Sequence, residues 1–351
     1  MNQDTTTSLN QLGSEEAVRR IAKARELLLE EVHKVIVGQN DVLELLLIGL
    51  FAQGHCFATG VPGLAKSLAI ETLARTLQLR FQRLTFTPDL TTDELVGQER
   101  ATTEPSNART TRVVQGPIFT NVLLADELLA AAPRTQAVLL DAMHDHQVQI
   151  GESRWELERP FFVVATHNPV ETEGLRPLHE AQLDRFLLSI QLGYPTRDEE
   201  RQIVMASTSA ESPTIKPLLR PRDIEWIQQW VRQIPVAEPL VGYAVDLTRA
   251  TRPSESDAPD IAKQWLTWGA GPRAAQSLIL AAKARAILKG RAAVHSADIR
   301  WVLKPVLRHR LQLNAAARLA KVTIDQLLDR IVQTTPDPQA SHRPILEINQ
   351  S

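Results

Sequence analysis

An α/β fold with a five-stranded parallel sheet, helices on both of its faces and an all-α C-terminal domain is the class this sequence predicts. Three observations predict it. Short apolar runs at 56–59, 84–86, 122–125, 161–166 and 187–190 alternate with helix-like segments. A glycine-containing loop, 60–67, lies directly between the first run and a helical stretch, 68–77. Beyond Tyr194-Pro195-Thr196 only helical periods remain, to about residue 335, with no convincing strand.

Residues 1–14 are polar and predict a disordered tail. From 15 to 35 the apolar residues Val18, Ile21, Leu27, Leu28, Val32 and Val35 recur at helical spacing, which predicts an amphipathic helix, and 41–53 reads as a more buried one. The polar segment 94–117 interrupts the alternation as an inserted loop or hairpin. Residues 147–157 alternate on both sides of Gly151 and predict a β-hairpin. Thr196 followed by Glu199 is a capping-box pattern that starts a helix. Trp226 with Trp230, and Trp265 with Trp268, are spaced to share a helix face as packing aromatics. The expected domains are therefore a core at 15–195 with its N-terminal helix, an all-α domain at 196–335 and a flexible Pro-rich tail at 336–351.

A length of 351 residues is ample for two or three domains. The 39 Lys and Arg against 41 Asp and Glu leave a formal charge of −2, so no basic excess points to nucleic acid or an anionic membrane. A hydrophobic share of 43% with 23% charged residues is that of a globular protein, not a disordered one. The single cysteine, Cys56, cannot form an intramolecular disulfide or a thiol zinc site, and reads as a small core residue in a reducing compartment. The N-terminus has no secretory signal pattern, and the longest apolar run, 45–52, falls far short of the roughly 20 residues a membrane helix needs. A cytoplasmic protein without a transmembrane segment is expected. His144 and His146 lack a third ligand and read as helix-end residues, while Arg308-His309-Arg310 reads as a solvated face or subunit contact.

Chemistry gathers at the ends of the apolar runs. The segment Gly60-Val61-Pro62-Gly63-Leu64-Ala65-Lys66-Ser67 places backbone N–H groups and a helix N-terminus where a phosphate can sit. Lys66 would reach the β and γ phosphates and Ser67 would bind Mg²⁺, although Ala65 stands where the strict pattern has its second glycine. Val122-Leu123-Leu124-Ala125 leads into Asp126 and Glu127, a metal-side carboxylate and a base for the attacking water. A further strand ends in His167-Asn168-Pro169, where the Asn168 amide can orient water without adding charge. Arg185 and Arg273, the latter opening a long helix after Gly271-Pro272, are candidate phosphate contacts.

With these motifs in place, the sequence resembles the MoxR-type AAA+ ATPases over about residues 30–335. Val35-Ile36-Val37-Gly38-Gln39, the 60–67 loop, Thr87-Pro88-Asp89-Leu90, Gly116-Pro117-Ile118-Phe119, Asp126-Glu127, Ala165-Thr166-His167-Asn168-Pro169, the stretch 180–186 and Gly271 to Ala274 carry the resemblance. Ala65 before the lysine is normal for that family. The resemblance implies an AAA+ P-loop core and a helical lid. It implies ATP and Mg²⁺ as cofactors, with Gly60, Pro62, Gly63, Leu64, Ala65, Lys66, Ser67 and Leu68 at the Walker A loop and Ile36, Val37 and Gly38 at the adenine pocket. Ser67 and Asp126 would serve the metal, Glu127 would complete Walker B, Asn168 would be sensor 1, Arg185 the arginine finger and Arg273 sensor 2. It further implies a homo-oligomeric ring, most simply a hexamer, that hydrolyses ATP to remodel protein clients or adaptors, often von Willebrand factor A domain proteins. No nucleic-acid partner is expected. A nucleic-acid motor and a nucleotide-gated scaffold with little turnover are the alternative readings. One departure stands out: the family usually continues Ile-Asn-Arg-Ala-Pro-Pro after Walker B, whereas this chain has Leu128-Leu129-Ala130-Ala131-Ala132-Pro133. The change is expected to alter signalling between subunits, lower hydrolysis or make the ring more hydrophobic.

Overall fold

Five parallel strands form the predicted sheet. The computed structural model describes residues 13–103, 109–170, 175–208 and 213–340, so the expected tails lie mostly outside the described residues. Helix α1 (Ser14–Val32) buries Val18, Ile21, Leu28 and Val32 of the predicted stripe, but Leu27 stays exposed and Val35 lies beyond the helix end. Its Arg25 pairs with the buried Glu44 of α2 (Asn40–Phe51), whose residues 43–51 are all buried.

The chain then runs through β1 (Cys56–Thr59), α3 (Lys66–Thr76), β2 (Phe81–Thr85), α4 (Thr92–Val96), β3 (Gly97–Thr103) and β4 (Arg109–Gln115). Strand β5 (Val122–Asp126), a 3₁₀ turn (Leu128–Ala130), α5 (Pro133–Asp145), β6 (Gln147–Ile150), β7 (Ser153–Glu156) and β8 (Phe162–His167) follow. The unit is completed by α6 (Glu180–Leu183), β9 (Leu188–Gln191), α7 (Arg197–Ser207) and most of α8 (Pro221–Gln233). The sheet order is β2-β5-β8-β1-β9, with every neighbouring pair parallel. Strands β5 and β8 are covered on both faces, which is why they read as continuous apolar runs. The edge strand β2 is half-exposed, and its mixed pattern hid it: the apolar run at 84–86 marks only its end.

The segment 94–117, open between loop and hairpin, contains the antiparallel β3–β4 hairpin, paired from Gly97↔Gln115 to Thr103↔Arg109. The predicted hairpin at 147–157 is β6–β7, turning at Gly151 with φ +59°. Thr196 and Glu199 cap α7 reciprocally, as their spacing predicts. Trp226 and Trp230 meet edge to face at 6.0 Å on α8.

Contacts group 20–230 into one unit, and 231 onward with the residues before Arg20 into a second. The expected boundary at 195 is displaced because 196–230 is bound to the sheet-bearing unit by specific hydrogen bonds. The buried Gln228 donates from Nε2 to the Leu50 carbonyl at 2.8 Å, and the Leu218 amide donates to the Thr76 carbonyl at 2.8 Å.

The second unit contains α9 (Glu238–Arg249), α10 (Asp260–Trp265), β10 (Leu266–Trp268), α11 (Pro272–Leu288), α12 (Ser296–Leu307), β11 (Gln312–Leu313), α13 (Ala315–Leu319) and α14 (Ile324–Thr334). Two expectations are corrected here. The region is not purely helical, because β10 and β11 pair antiparallel. For the same reason Trp265 and Trp268 do not share a helix face: α10 ends at Trp265, and Trp268 lies exposed on β10. Asp298 of α12 is wholly buried and salt-bridged by Arg285 and Arg291. Burial raises its pKa, but the hydrogen bonds from Arg291, the His295 amide and Arg285 outweigh that and hold it below the usual carboxylate range. The basic cluster 308–310 is not a free solvated face: Arg310 is buried and donates to the Val306 carbonyl, while Arg308 pairs with Asp325 at 2.7 Å.

Cys56 is a buried core residue whose thiol pKa is raised by burial. Its neighbour His55 is also buried; its Nε2 lies 3.1 Å from the Met143 carbonyl, and its Nδ1 accepts from the Val163 amide at 3.0 Å. Burial lowers its pKa from 6.5 to about 4, only partly offset by the Met143 carbonyl. Above pH 6.5 the ring is neutral in both folded and unfolded chains and makes no difference; as pH falls below 6.5 only the unfolded chain takes the proton. Stability should therefore fall between about pH 6.5 and 4, by roughly 3 kcal/mol in total from this residue. Urea unfolding across that range should show a shallower pH slope for His55→Gln than for the wild type. Equal slopes would contradict the assignment.

Candidate functional site

The parallel register brings the C-terminal ends of β1, β5 and β8 to one edge of the sheet, the edge at which open α/β sheets bind ligands. Strand β8 lies between β1 and β5, so the strand carrying Asp126 is not the direct neighbour of the loop strand. The loop leaves β1 at Gly60, whose amide donates to the His167 carbonyl at the tip of β8, 3.3 Å away. It passes Pro62, exposed, and Gly63, at φ +86°, and enters α3 at Lys66. The first-turn N–H groups of α3 have no partner within the helix, so Lys66, Ser67 and Leu68 present an anion site with the positive end of the helix dipole.

Ala65 is the N-cap of α3 at φ +55°, ψ +24°, the left-handed region where glycine is the easy residue. The strict pattern has glycine here for that reason, and this chain accepts the alanine strain. Lys66 Nζ donates to the Gly60 carbonyl at 2.5 Å, so the amine is folded back over the loop.

Residues before α2 join the same site. Gln39 Nε2 donates to the Leu64 carbonyl at 3.0 Å, tying the 35–39 segment to the loop. Ile36 and Val37 line a cavity of about 520 Å³ together with Pro62, Gly63, Leu64, Ala65 and Leu68. Gly38 sits next to it at φ +65°, where a Cβ would lie 2.0 Å from Glu199 Oε1 of α7. The cavity's other wall comes from Tyr194 and from Ile203 and Val204 of α7. These were missed in the sequence, where α7 was assigned to the second domain. Their sequence signal was the apolar run Ile203-Val204-Met205 in a helix that starts with charged residues. Val204 is 59% exposed and Tyr194, just before the helix, 74% exposed, apolar surface that an aromatic base could cover.

On β5, Asp126 is buried and both its carboxylate oxygens are engaged. Thr166 Oγ1 of β8 donates to Oδ1 at 2.5 Å, and Arg83 of β2 donates to Oδ2 from Nε at 3.0 Å and from Nη2. Glu127 lies at φ +57°, which turns it out of the strand. Its backbone N–H donates to Thr166 Oγ1 at 3.1 Å, and its Oε2 accepts from the backbone N–H of Asn168 at 3.2 Å. Asn168 is buried, with its Oδ1 accepting from the Val170 amide at 3.1 Å. Thus Asp126, Glu127, Thr166 and Asn168 form one hydrogen-bonded group. Thr166 and Arg83 were not singled out in the sequence; a hydroxyl inside an apolar strand was the available signal for the first.

Arg185 follows α6 and donates to Asp141 of α5 at 2.6 Å, with its side chain 31% exposed. Arg273 belongs to the second unit, exposed in the first turn of α11, and lines a cleft of about 900 Å³ with Arg249, Arg252 and Lys283.

Residues 55–188 match the model of the ATPase family associated with various cellular activities (AAA), and 259–331 match the AAA lid domain. Chaperone MoxR1 of Mycobacterium tuberculosis is 37% identical over 95% of this chain and 87% of its own length. The chain belongs to the MoxR family of AAA+ ATPases. YeaC of Bacillus subtilis is 33% identical over 88% of this chain and 93% of its own. A crystal structure of a candidate ATPase from Cytophaga hutchinsonii superposes with a TM-score of 0.85 at 34% identity, covering 92% of this chain and 97% of that one.

Within this MoxR-family core the unusual sequence after Glu127 is accommodated internally. Leu128, Leu129 and Ala131 are buried in the cluster that contains Phe57, Leu123 and Phe186. Gln136 Nε2 donates to the Leu128 carbonyl at 3.1 Å, and the Arg176 amide donates to that of Leu129 at 2.8 Å. The expectation of a more hydrophobic ring surface from these leucines is therefore corrected: their side chains pack inward.

Proposed function

We propose that this chain is a Mg²⁺-dependent ATP hydrolase that assembles into a homo-oligomeric ring, most simply a hexamer, and uses turnover to remodel protein clients. The observation that carries the reading is the convergence of an anion-binding loop, an acidic pair and a strand-tip asparagine at one sheet edge, beside a cavity with apolar walls. ATP would lay its base in the cavity lined by Ile36 and Val37, beside Gly38, and its phosphates on the loop residues 60–68. Among the described residues no group of three or more His, Cys, Asp or Glu side chains could hold a metal by itself. The oxygen donors present suit Mg²⁺ bound jointly by protein and phosphates, with Ser67 and Asp126 on the protein side. That ion would offset charge on the phosphoryl group. Glu127 would take the proton of the attacking water while Asn168 holds its carboxylate in place. Arg185 and Arg273 would contribute the finger and sensor 2 contacts.

The charge balance of −2 favours protein clients over nucleic acid. Among the described residues no helix is long and apolar enough to cross a membrane; a cytoplasmic setting is part of the proposal. MoxR1 is named a chaperone, which supports a chaperone-like role here; von Willebrand factor A domain proteins as clients are proposed from the sequence motifs' resemblance to the family alone. The test is phosphate release by the purified protein. It should require Mg²⁺ and be insensitive to single- or double-stranded DNA; activation by DNA, with none by protein candidates, would overturn the client reading.

A further inference from the structure

Strand β2 places a cation on the carboxylate at the centre of the site. Arg83 pairs in register with Leu124, and Thr85 with Asp126, so Arg83 and Asp126 share a sheet face as diagonal neighbours two residue pairs apart. The guanidinium spans that step and donates twice to one oxygen of Asp126, while Thr166 holds the other. The two partners differ in one respect that matters. Thr166 is fully buried, whereas the Arg83 side chain is 54% exposed on an edge strand, against 12% for Asp126. Arg83 can therefore leave without opening the core, and Thr166 cannot.

We propose that Arg83 is a resident counter-ion of Asp126, which the divalent ion entering with the nucleotide must displace. The proposal rests on the reading of Asp126 as the metal-side carboxylate. A buried carboxylate without a counter-charge is costly, so Asp126 gains from a cation supplied by the chain itself. A guanidinium fork that donates twice to one carboxylate oxygen competes with any cation for that oxygen. Mg²⁺ at Asp126 and a guanidinium on the same oxygen would repel each other, so one excludes the other. Arg83 is thus a positioning residue: it keeps Asp126 oriented with Thr166 before loading and sets how much Mg²⁺ loading requires.

The experiment titrates Mg²⁺ against the full chain in the presence of a fluorescent ADP analogue, with a parallel nucleotide titration in EDTA. Arg83→Gln should lower the Mg²⁺ midpoint by about two- to fivefold, the scale of a half-exposed ion pair. Arg83→Lys, which keeps a cation on Asp126, should stay near the wild type. In an Asp126→Asn background the Arg83→Gln shift should vanish. An unchanged or raised midpoint in Arg83→Gln, with nucleotide still bound in EDTA, would overturn the counter-ion role, as would a shift that persists in Asp126→Asn. A wild type that binds no nucleotide in either titration would overturn the nucleotide-site reading, and this inference with it.

Discussion

Glu127→Gln should bind ATP as the wild type does and lose multiple-turnover phosphate release by about 10²–10⁴-fold, the contribution of a positioned general base. Its geometry makes the substitution clean. Glu127 is held in place by its own backbone, through φ +57° and the amide bond to Thr166 Oγ1, and neither depends on the side-chain charge. A glutamine oxygen can still accept from the Asn168 backbone N–H, as Oε2 does at 3.2 Å. What glutamine cannot do is take a proton from water. Unfolding midpoints should therefore stay close together while the rates separate. Nucleotide affinity should be retained, because the loop and cavity are untouched. Steady-state phosphate release and equilibrium nucleotide binding, measured on the same preparations, check both halves; turnover near the wild-type rate would remove Glu127 from the role of base.

Much of this site was legible because its chemistry sits where chain patterns change. Lys66, Asp126 and Asn168 each follow a short apolar run, and burial of that run is what makes both the strand and its polar tip visible. Arg83 was hidden for the converse reason. An edge strand has one exposed face, so a charge there resembles any solvated residue until the register shows which carboxylate it meets. The cavity wall of α7 was hidden by distance. Thr196 and Glu199 reveal where that helix starts, but nothing local reveals which unit it packs with; hydrogen bonds from residues further on, at Leu218 and Gln228, decide that. Ala65 shows how a pattern can fail while its geometry holds. Glycine is preferred at φ +55° but not obligatory, since the cost of an alanine there is on the order of 1 kcal/mol. The leucines after Glu127 show the opposite: an apolar run read as a surface change proved to be core, because its backbone carbonyls bind Gln136 and Arg176 and turn the side chains inward.

Arg185→Ala should also bind ATP and lose turnover, by up to about 10³–10⁵-fold if the arginine completes a neighbour's site as fingers do in related nucleotide hydrolases. In the single chain the guanidinium is tethered to Asp141, whose side chain is 63% exposed. Such a pair is worth at most about 1 kcal/mol, so an incoming γ-phosphate of an adjacent subunit can take the arginine over. Removing the pair should barely alter stability, which separates a catalytic loss from a folding one. The decisive measurement is complementation. Lys66→Ala lacks a working loop but keeps Arg185, and Arg185→Ala has the reverse defect. Each is expected to be inactive alone. In rings mixed in equal amounts, about a quarter of interfaces join an intact loop to an intact arginine if assembly is random. Activity should rise toward that share of the wild-type rate as subunits exchange. If Arg185 instead served the nucleotide of its own chain, every intact loop would face a missing arginine and no mixture would recover activity. Exchange confirmed by differently tagged subunits, without recovery of phosphate release, would therefore assign Arg185 to its own subunit's site or to structure.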